Sequence, residues 1–475
     1  MTTDHFDIFV IGTGPGGYVA ALKAAQMGAK AAVVERHHLG GTCLNYGCIP
    51  SKALLSSAEL LHSVQNARKW GVTVGGEIGF DWKEITQHKD KILRQLRGGI
   101  GSLFKGRGVK QLAGHASFEG AGRVVVTPSD GPPHVVTAGK VIIATGSVPI
   151  RIPGWPADPA VVCTSDEAVH WTTLPKKLLI VGGGVIGCEF ACMMQAFGVA
   201  VTVVEMLPSL LPTLDQDLGK ALLAIFKGRG IICHLDTKVE SMELAAGGAA
   251  VTARLSNGES LQFDRVLVAI GRRPNSEDMG LENTRVEVDE RGFVKVDVQQ
   301  RTADEHILAI GDVVGGLMLA HKAMYEGKVA AEVIAGHPAA FDAQAIPAVV
   351  YTDPQIAWAG LMENEARERG IEVQVSRFPW RASGRALTMS APEGITKMVF
   401  DPQTERILGV GIVGREAEDL IGEGVLAIEM GALASDVALS IHPHPTLTET
   451  AEEAAGAFLG DATHILSPRK AAGKR

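Results

Sequence analysis

Residues 40–52 read GGTCLNYGCIPSK and place Cys43 and Cys48 five positions apart in a chain of 475 residues that holds only 6 cysteines. Such a pair can be a structural disulfide, half of a metal site, or two thiols that carry an electron pair. Few cysteines make no secreted disulfide framework, and so short a loop gains little from crosslinking, which disfavours the first. A zinc site lacks the usual two-residue spacing and a second pair of ligands, and no metal is expected. Cys163, Cys188, Cys192 and Cys233 read as packing thiols.

The pair needs elements that hold it, and the chain carries two copies of one cradle. Residues 6–35 recur in pattern at 177–205. Each copy runs from an apolar strand into G-x-G-x-x-G, as Gly12, Gly14 and Gly17, then as Gly182, Gly184 and Gly187. A helix-like stretch, a glycine (Gly28, Gly198), a Val-rich strand and a glutamate (Glu35, Glu205) follow. The first glycine permits the tight turn, the second lets backbone approach a pyrophosphate, and the third lets helix and strand pack closely. The helix N-terminus supplies free N–H groups and positive dipole. The closing glutamate can accept from ribose hydroxyls and would repel a 2′-phosphate, so Glu205 favours NAD over NADP. One glycine pattern is weak among 56 glycines. Two, each in register with strand, helix and acid, predict two dinucleotides.

A shorter repeat supports this: KVIIATGSVPIRIPG at 140–154 resembles DRVLVAIGRRPN at 264–275, each an apolar strand ending in Gly146 or Gly271 before a Pro. ILAIGDVVGG at 307–316 is a further buried strand, ending in Gly311-Asp312. Its carboxylate can accept from a ribityl or ribose hydroxyl, or simply cap a turn.

With HPHPTLTE at 442–449, these motifs resemble, in order, those of the flavoprotein disulfide reductases of the class I pyridine nucleotide-disulfide oxidoreductase family, over residues 6 to about 455. Within it they are most similar to the branch that oxidises dihydrolipoyl groups with NAD⁺. The resemblance implies FAD in the first cradle, NAD in the second and a C-terminal dimer interface. Gly12, Gly14, Gly17 and Glu35 would then hold the FAD pyrophosphate and adenosine ribose. Thr42, Ala116, Thr145, Gly146, Ser147, Asp312 and the backbone of Met318, Leu319, Ala320 and His321 would complete that site. Lys52 would lie beside the flavin, paired with Glu189 near the nicotinamide. Gly182, Gly184, Gly187 and Glu205 would bind NAD, with Val239 and Gly271 as further candidates.

On the same grounds Cys43 is the exchange thiol and Cys48 the thiolate facing the flavin, both at the start of a helix whose dipole favours negative sulfur. Attack on the disulfide needs a thiolate, hence a base. That base is His444, oriented by Glu449 and serving the cysteine pair of a second copy; His442 reads as an exposed loop residue.

The expected fold class is therefore α/β: two Rossmann-like dinucleotide-binding domains plus a C-terminal α+β dimerisation domain. The boundaries fall at 1–150 for FAD, 151–275 for NAD, 276–346 for a central domain completing the FAD site, and 347–475 for the interface. Size alone asks for several domains. A composition of 46% hydrophobic and 21% charged residues is that of a globular chain. The net charge of −8, with dispersed Lys and Arg, argues against nucleic acid. No apolar run approaches the roughly 18 residues of a membrane span, and the N-terminus enters a strand without a leader, so a cytoplasmic protein is expected. The basic run PRKAAGKR at 468–475 is expected to be a solvated tail.

The expected partners are a second copy of the chain and a lipoyl-bearing acyltransferase of a 2-oxo acid dehydrogenase complex, or the glycine cleavage carrier protein. Two rival readings are a reductase of another low-molecular-weight disulfide and a non-catalytic FAD- and NAD-binding subunit. The first is disfavoured by the absence of a C-terminal cysteine pair and of basic residues after Glu205; the second, by Cys43, Cys48, Lys52, His444 and Glu449 occurring together. Two positions depart from the family pattern: Tyr46 between the cysteines, and Thr448 where Ser is common.

Overall fold

The computed structural model describes residues 3–156, 158–245, 247–248 and 250–466, so the basic run at 468–475 lies outside it. The chain forms two compact units, Met1–Leu174 with Leu267–Asp342, and Pro175–Val266 with Ala343–Arg475. Each unit thus joins one cradle to a later stretch of chain. The first unit takes in the Gly311-Asp312 segment and the second the HPHPTLTE segment.

In the first unit a mixed sheet runs in the order Lys110–Ala113, Ala31–Glu35, Thr3–Ile11, His134–Ile143, Arg123–Thr127, His115–Gly120, with Ile307–Ala309 also paired to His134–Ile143. Thr3–Ile11 is parallel to both neighbours. Its Phe9 and Val10, like Val33 and Ile142 beside it, are wholly buried, as expected of parallel strands covered on both faces. Helices Pro15–Gln26 and Ala320–Ile334 pack side by side in the same sense. A Cβ on Gly327 would meet the Gly16 carbonyl oxygen at 2.5 Å, and one on Gly16 the Ala323 oxygen at 2.9 Å. Backbone meets backbone there, and Lys23 pairs with Glu332 at 2.7 Å one turn on. Both helix N-termini therefore lie together at one end of the sheet.

In the second unit the strands Lys177–Val181, Ala200–Val204 and Ile232–His234 form a parallel sheet, followed by an antiparallel meander, Val239–Leu244, Val251–Leu255 and Ser260–Phe263. The later stretch is an antiparallel sheet in the order Ala348–Val350, Gln355–Gly360, Ile407–Gly414, Ile395–Phe400, Gln374–Pro379. Helices Ala417–Glu429 and Glu449–Leu459 cover it around a core that includes Trp380, Phe378 and the stacked Phe400–Phe458 pair. The two cradles and the α+β C-terminal stretch are the architecture expected from sequence. Among the described residues no helix is long and apolar enough to cross a membrane.

A buried ionic cluster holds the two parts of the second unit together. Lys397, fully buried on the strand Ile395–Phe400, places Nζ 2.6 Å from Asp215, 3.1 Å from Asp217 and 2.7 Å from Glu363. Asp215 also accepts the backbone N–H groups of Glu363 and Asn364. Burial alone would raise the Asp217 and Glu363 carboxyls and lower the Lys397 ammonium, but mutual pairing outweighs it and shifts each the other way.

Lys397→Met strands the buried Asp215 carboxylate and is expected to lower stability by about 3–5 kcal/mol in denaturant titration. In the native chain the cluster's contribution is full between the ordinary carboxylate value of 4.5 and the ordinary lysine value of 10.5. It is lost as pH falls through the depressed carboxylate values, and as pH rises through the raised ammonium value.

Candidate functional site

The first glycine turn is closed by Glu35. Oε2 accepts Thr13 N–H at 3.0 Å and Thr13 Oγ1–H at 2.7 Å, and Oε1 accepts His37 N–H at 3.0 Å. Gly12 has φ +100°, and a Cβ there would lie 2.4 Å from the Ala144 oxygen; one on Gly17 would lie 2.1 Å from the Gly12 oxygen. At Gly14 a Cβ would touch nothing within 4 Å, so the space before the helix Pro15–Gln26 is open.

The second turn repeats these bonds. Glu205 Oε2 accepts Gly183 N–H at 2.6 Å and Oε1 accepts Leu207 N–H at 2.8 Å. Gly182 has φ +109°, a Cβ on Gly187 would lie 1.9 Å from the Gly182 oxygen, and Gly184 again faces open space. The positions match one for one: 13, 35 and 37 against 183, 205 and 207. Both glutamates thus shape the turns, a role beyond the ribose contact expected of them. Val239 opens its strand, and Glu189 is buried on the helix Val185–Ala196, accepting Tyr351 N–H at 3.0 Å. Gly271 belongs to the first unit, where its carbonyl accepts Ile150 N–H.

The cysteine loop is attached to the first turn. Gly40 N–H donates to the Thr13 carbonyl at 3.0 Å, and a Cβ on Gly41 would lie 2.6 Å from Gly14 Cα. Thr42 and Cys43 lie in the one-turn helix Gly41–Asn45, whereas Cys48 is the first residue of the helix Cys48–Gln65. Pro50 fits the first turn of that helix, where its missing N–H costs nothing. The Cys43 thiol is pushed far up by its hydrogen bond to Cys48 and by burial, with the Lys52 charge opposing. Cys43 and Cys48 are free thiols within hydrogen-bonding reach of each other.

Asp312 stands beside this loop in a short helical turn, Gly311–Val314. Ser147 Oγ–H donates to its Oδ2 at 2.6 Å; Arg272 donates to Ser147 Oγ and O at 2.8 and 2.9 Å and pairs with Asp166 at 3.2 Å. Gly311 N–H donates to the buried Glu326, which pairs with Lys322 at 2.5 Å; burial pushes the Glu326 carboxyl up against the pull of Lys322. Arg272, Lys322 and Glu326 escaped the sequence reading. The first arginine of GRRPN and the four-residue Lys–Glu spacing were the only signals of them.

Gly146, at φ +71°, turns the chain after Thr145, whose Oγ1 is buried without a hydrogen-bond partner. Met318 and Leu319 lead into Ala320 and His321, the first residues of the helix Ala320–Ile334. Ala116 is buried in the sheet, paired with Val126. An open glycine turn, two helix N-termini at one end of the sheet and an orphaned hydroxyl fit an extended phosphate-bearing cofactor.

In the second unit His444 Nδ1 lies 2.8 Å from Glu449 Oε1, and Glu449 Oε2 accepts Thr446 N–H at 2.7 Å. Burial alone would raise the Glu449 carboxyl, but Thr446 and His444 outweigh it and hold it down. A carboxylate only accepts, so Nδ1 carries the hydrogen and Nε2 the lone pair. The His444 side chain is 77% exposed. Thr448 keeps its hydroxyl, 2.8 Å from that of Thr446. His442 is not the exposed loop residue expected: its side chain is 7% exposed, with Nε2 on Glu423 at 2.8 Å and Nδ1 near the Ser440 carbonyl and Glu452. Partners from two other elements, invisible in the local sequence, draw it inward.

Residues 6–327 match the family model described as pyridine nucleotide-disulphide oxidoreductase, and residues 346–455 that family's dimerisation domain. Dihydrolipoyl dehydrogenase of Vibrio cholerae is 42% identical over 461 residues, 96% of this chain and 96% of that protein. The enzyme of the same name from Thermus scotoductus is 43% identical over 465 residues, 97% of this chain and 99% of its own. Among solved structures, LpdA from Mycobacterium tuberculosis superposes with a TM-score of 0.88 at 26% identity, covering 95% of this chain and 99% of that one. The HOCl-induced flavoprotein disulfide reductase RclA from Escherichia coli does so with a TM-score of 0.84 at 27% identity, covering 95% and 99%.

The glycines separate folding from binding. Gly184→Ala finds free space, so its thermal midpoint is expected to stay unchanged while affinity for the second dinucleotide falls by about tenfold or more in calorimetric titration. Gly187→Ala, with a Cβ against the Gly182 carbonyl, is expected to lower the midpoint itself.

Proposed function

The chain belongs to the pyridine nucleotide-disulphide oxidoreductases, and we propose that Cys43, Cys48, His444 and Glu449 give it the activity of their dihydrolipoyl dehydrogenases, with FAD and NAD as cofactors and a homodimer formed through the C-terminal dimerisation domain. The substrate is a dihydrolipoyl group and the products are its cyclic disulfide, NADH and a proton.

His444 of a second copy takes a proton from one substrate thiol at Nε2, while Glu449 holds the opposite nitrogen and stabilises the imidazolium. The substrate thiolate attacks Cys43 Sγ of the oxidised pair, an S–S bond forms, and Cys48 leaves as a thiolate at the head of its helix. The second substrate thiol displaces Cys43 and closes the lipoyl ring, leaving both cysteines reduced. Bound FAD supplies the two-electron chemistry that passes the pair on to NAD⁺.

Gly12, Gly14, Gly17 and Glu35, with Thr42, Ala116, Thr145, Gly146, Ser147, Asp312 and residues 318–321, hold FAD; Asp312 keeps Oδ1 for a ribityl hydroxyl because Oδ2 is taken by Ser147. Lys52 would lie by the flavin, and Glu189 near the nicotinamide. Gly182, Gly184, Gly187 and Glu205 would hold NAD, with Val239 and Gly271 as further candidates. The dithiol arrives on a lipoyl-bearing acyltransferase of a 2-oxo acid dehydrogenase complex, or on the glycine cleavage carrier protein, in the cytoplasm.

The observation that carries this reading is the His444–Glu449 pair, which fixes the proton on Nδ1 and turns a free Nε2 outward. His444→Ala is expected to lower dihydrolipoamide:NAD⁺ turnover by about 10²–10⁴-fold with FAD still bound. Near-native turnover in that variant would refute the base role. Anaerobic dihydrolipoamide should raise a long-wavelength absorbance band in the native protein; its absence would dismiss the cysteine pair as the relay.

A further inference from the structure

Tyr46 departs from the family pattern, and the structure gives it a neighbour. Its ring meets that of His170 edge to face, with centroids 5.7 Å apart and planes at 78°. His170 Nε2 lies 3.0 Å from the carbonyl oxygen of Asn45, also between the cysteines. On the other side of the ring, Nδ1 is 3.3 Å from Lys89 Nζ. Lys89 is 1% exposed on the helix Trp82–Arg107, donates to the Val169 carbonyl at 2.8 Å and pairs with Asp90 at 3.1 Å.

Chemistry assigns the hydrogens. An ammonium can only donate, so Nδ1 must present its lone pair to Lys89. The imidazole hydrogen therefore sits on Nε2 and donates to the Asn45 carbonyl. Partial burial of the ring and the Lys89 charge hold the imidazole below its ordinary range, against the pull of Asn45 and Asp90, which keeps this neutral tautomer in place. From within the loop, the Asn45 side chain donates to the Leu39 and Gly41 carbonyls at 3.0 and 2.8 Å. Residue 45 is thus gripped from both sides, and none of these groups enters the exchange chemistry.

We propose that His170, set by Lys89, is a positioning residue for the cysteine pair: a line of donated hydrogen bonds from ammonium through imidazole to the Asn45 carbonyl fixes the backbone between Cys43 and Cys48. Tyr46 packs the ring so that it cannot rotate out of that line. The pair must make and break an S–S bond in every turnover, so its two ends need a connecting backbone that returns to one position. A misplacement of about 1 Å there would slow thiol exchange by up to about 10²-fold without touching the dinucleotide cradles.

The inference rests on Cys43 and Cys48 being the exchanging pair, and the experiment keeps the two apart. His170→Phe retains a ring against Tyr46 and removes both nitrogens; His170→Gln keeps a donor that can reach the Asn45 carbonyl. Holoenzyme carrying each change is assayed with dihydrolipoamide and NAD⁺, and separately with NADH and ferricyanide, which takes electrons from the reduced flavin and bypasses the cysteines. His170→Phe is expected to lower kcat for the dithiol reaction by about tenfold, with KM for dihydrolipoamide and the ferricyanide rate unchanged, and His170→Gln to recover most of the loss. Lys89→Met should reproduce the same split. Full dithiol turnover in His170→Phe overturns the inference, as does an equal fractional loss in both reactions, the mark of a merely structural lesion. A native protein that reduces ferricyanide but never oxidises dihydrolipoamide would instead overturn the proposed function.

Discussion

Thr13 is where the first unit is tied. Its N–H and hydroxyl both go to Glu35, its carbonyl receives Gly40 N–H, and the residue has no exposed surface. One fully buried residue thereby fixes the glycine turn, the end of the second strand and the entry to the cysteine loop relative to one another. If the turn moved, the loop would move with it. In the proposed function that coupling would matter, because a cofactor held at the turn and the thiol pair serving it must agree in position within a fraction of an ångström.

Much of this was legible in the sequence because it is written in backbone requirements. Only glycine can occupy Gly12, Gly17 and Gly187, where a Cβ would strike a carbonyl, so the spacing of glycines announces both cradles. A parallel strand buried on both faces announces itself as an unbroken apolar run, as Ile8, Phe9, Val10 and Ile11 do at the end of Thr3–Ile11. His444 and Glu449 are five residues apart, and a local turn brings them together.

What stayed hidden depends on partners far along the chain. His442 is drawn inward by Glu423 and Glu452, which lie on two other helices, and no local pattern reveals them. Arg272 meets Asp166 and Ser147 from more than a hundred residues away, and Lys397 meets Asp215 from farther still. The glutamates closing the cradles were legible as acids at the right distance, yet their bonds to the turn's own N–H groups are a property of the folded backbone. Tyr46 gained its account only when the fold brought His170 to the loop.

The equivalence of positions 13, 35 and 37 with 183, 205 and 207 has a consequence for which substitutions each turn can accept. The bonds that recur are donated by backbone N–H groups to one glutamate in each copy, so they do not depend on which side chains stand at 13, 37, 183 and 207. The two turns are not equally roomy. Thr13 retains a hydroxyl that binds Glu35, whereas at Gly183 a Cβ would meet Leu210 at 2.8 Å and Glu205 at 3.1 Å. The second turn is packed closely around Gly183, so a threonine there would have to displace the Leu210 and Glu205 side chains.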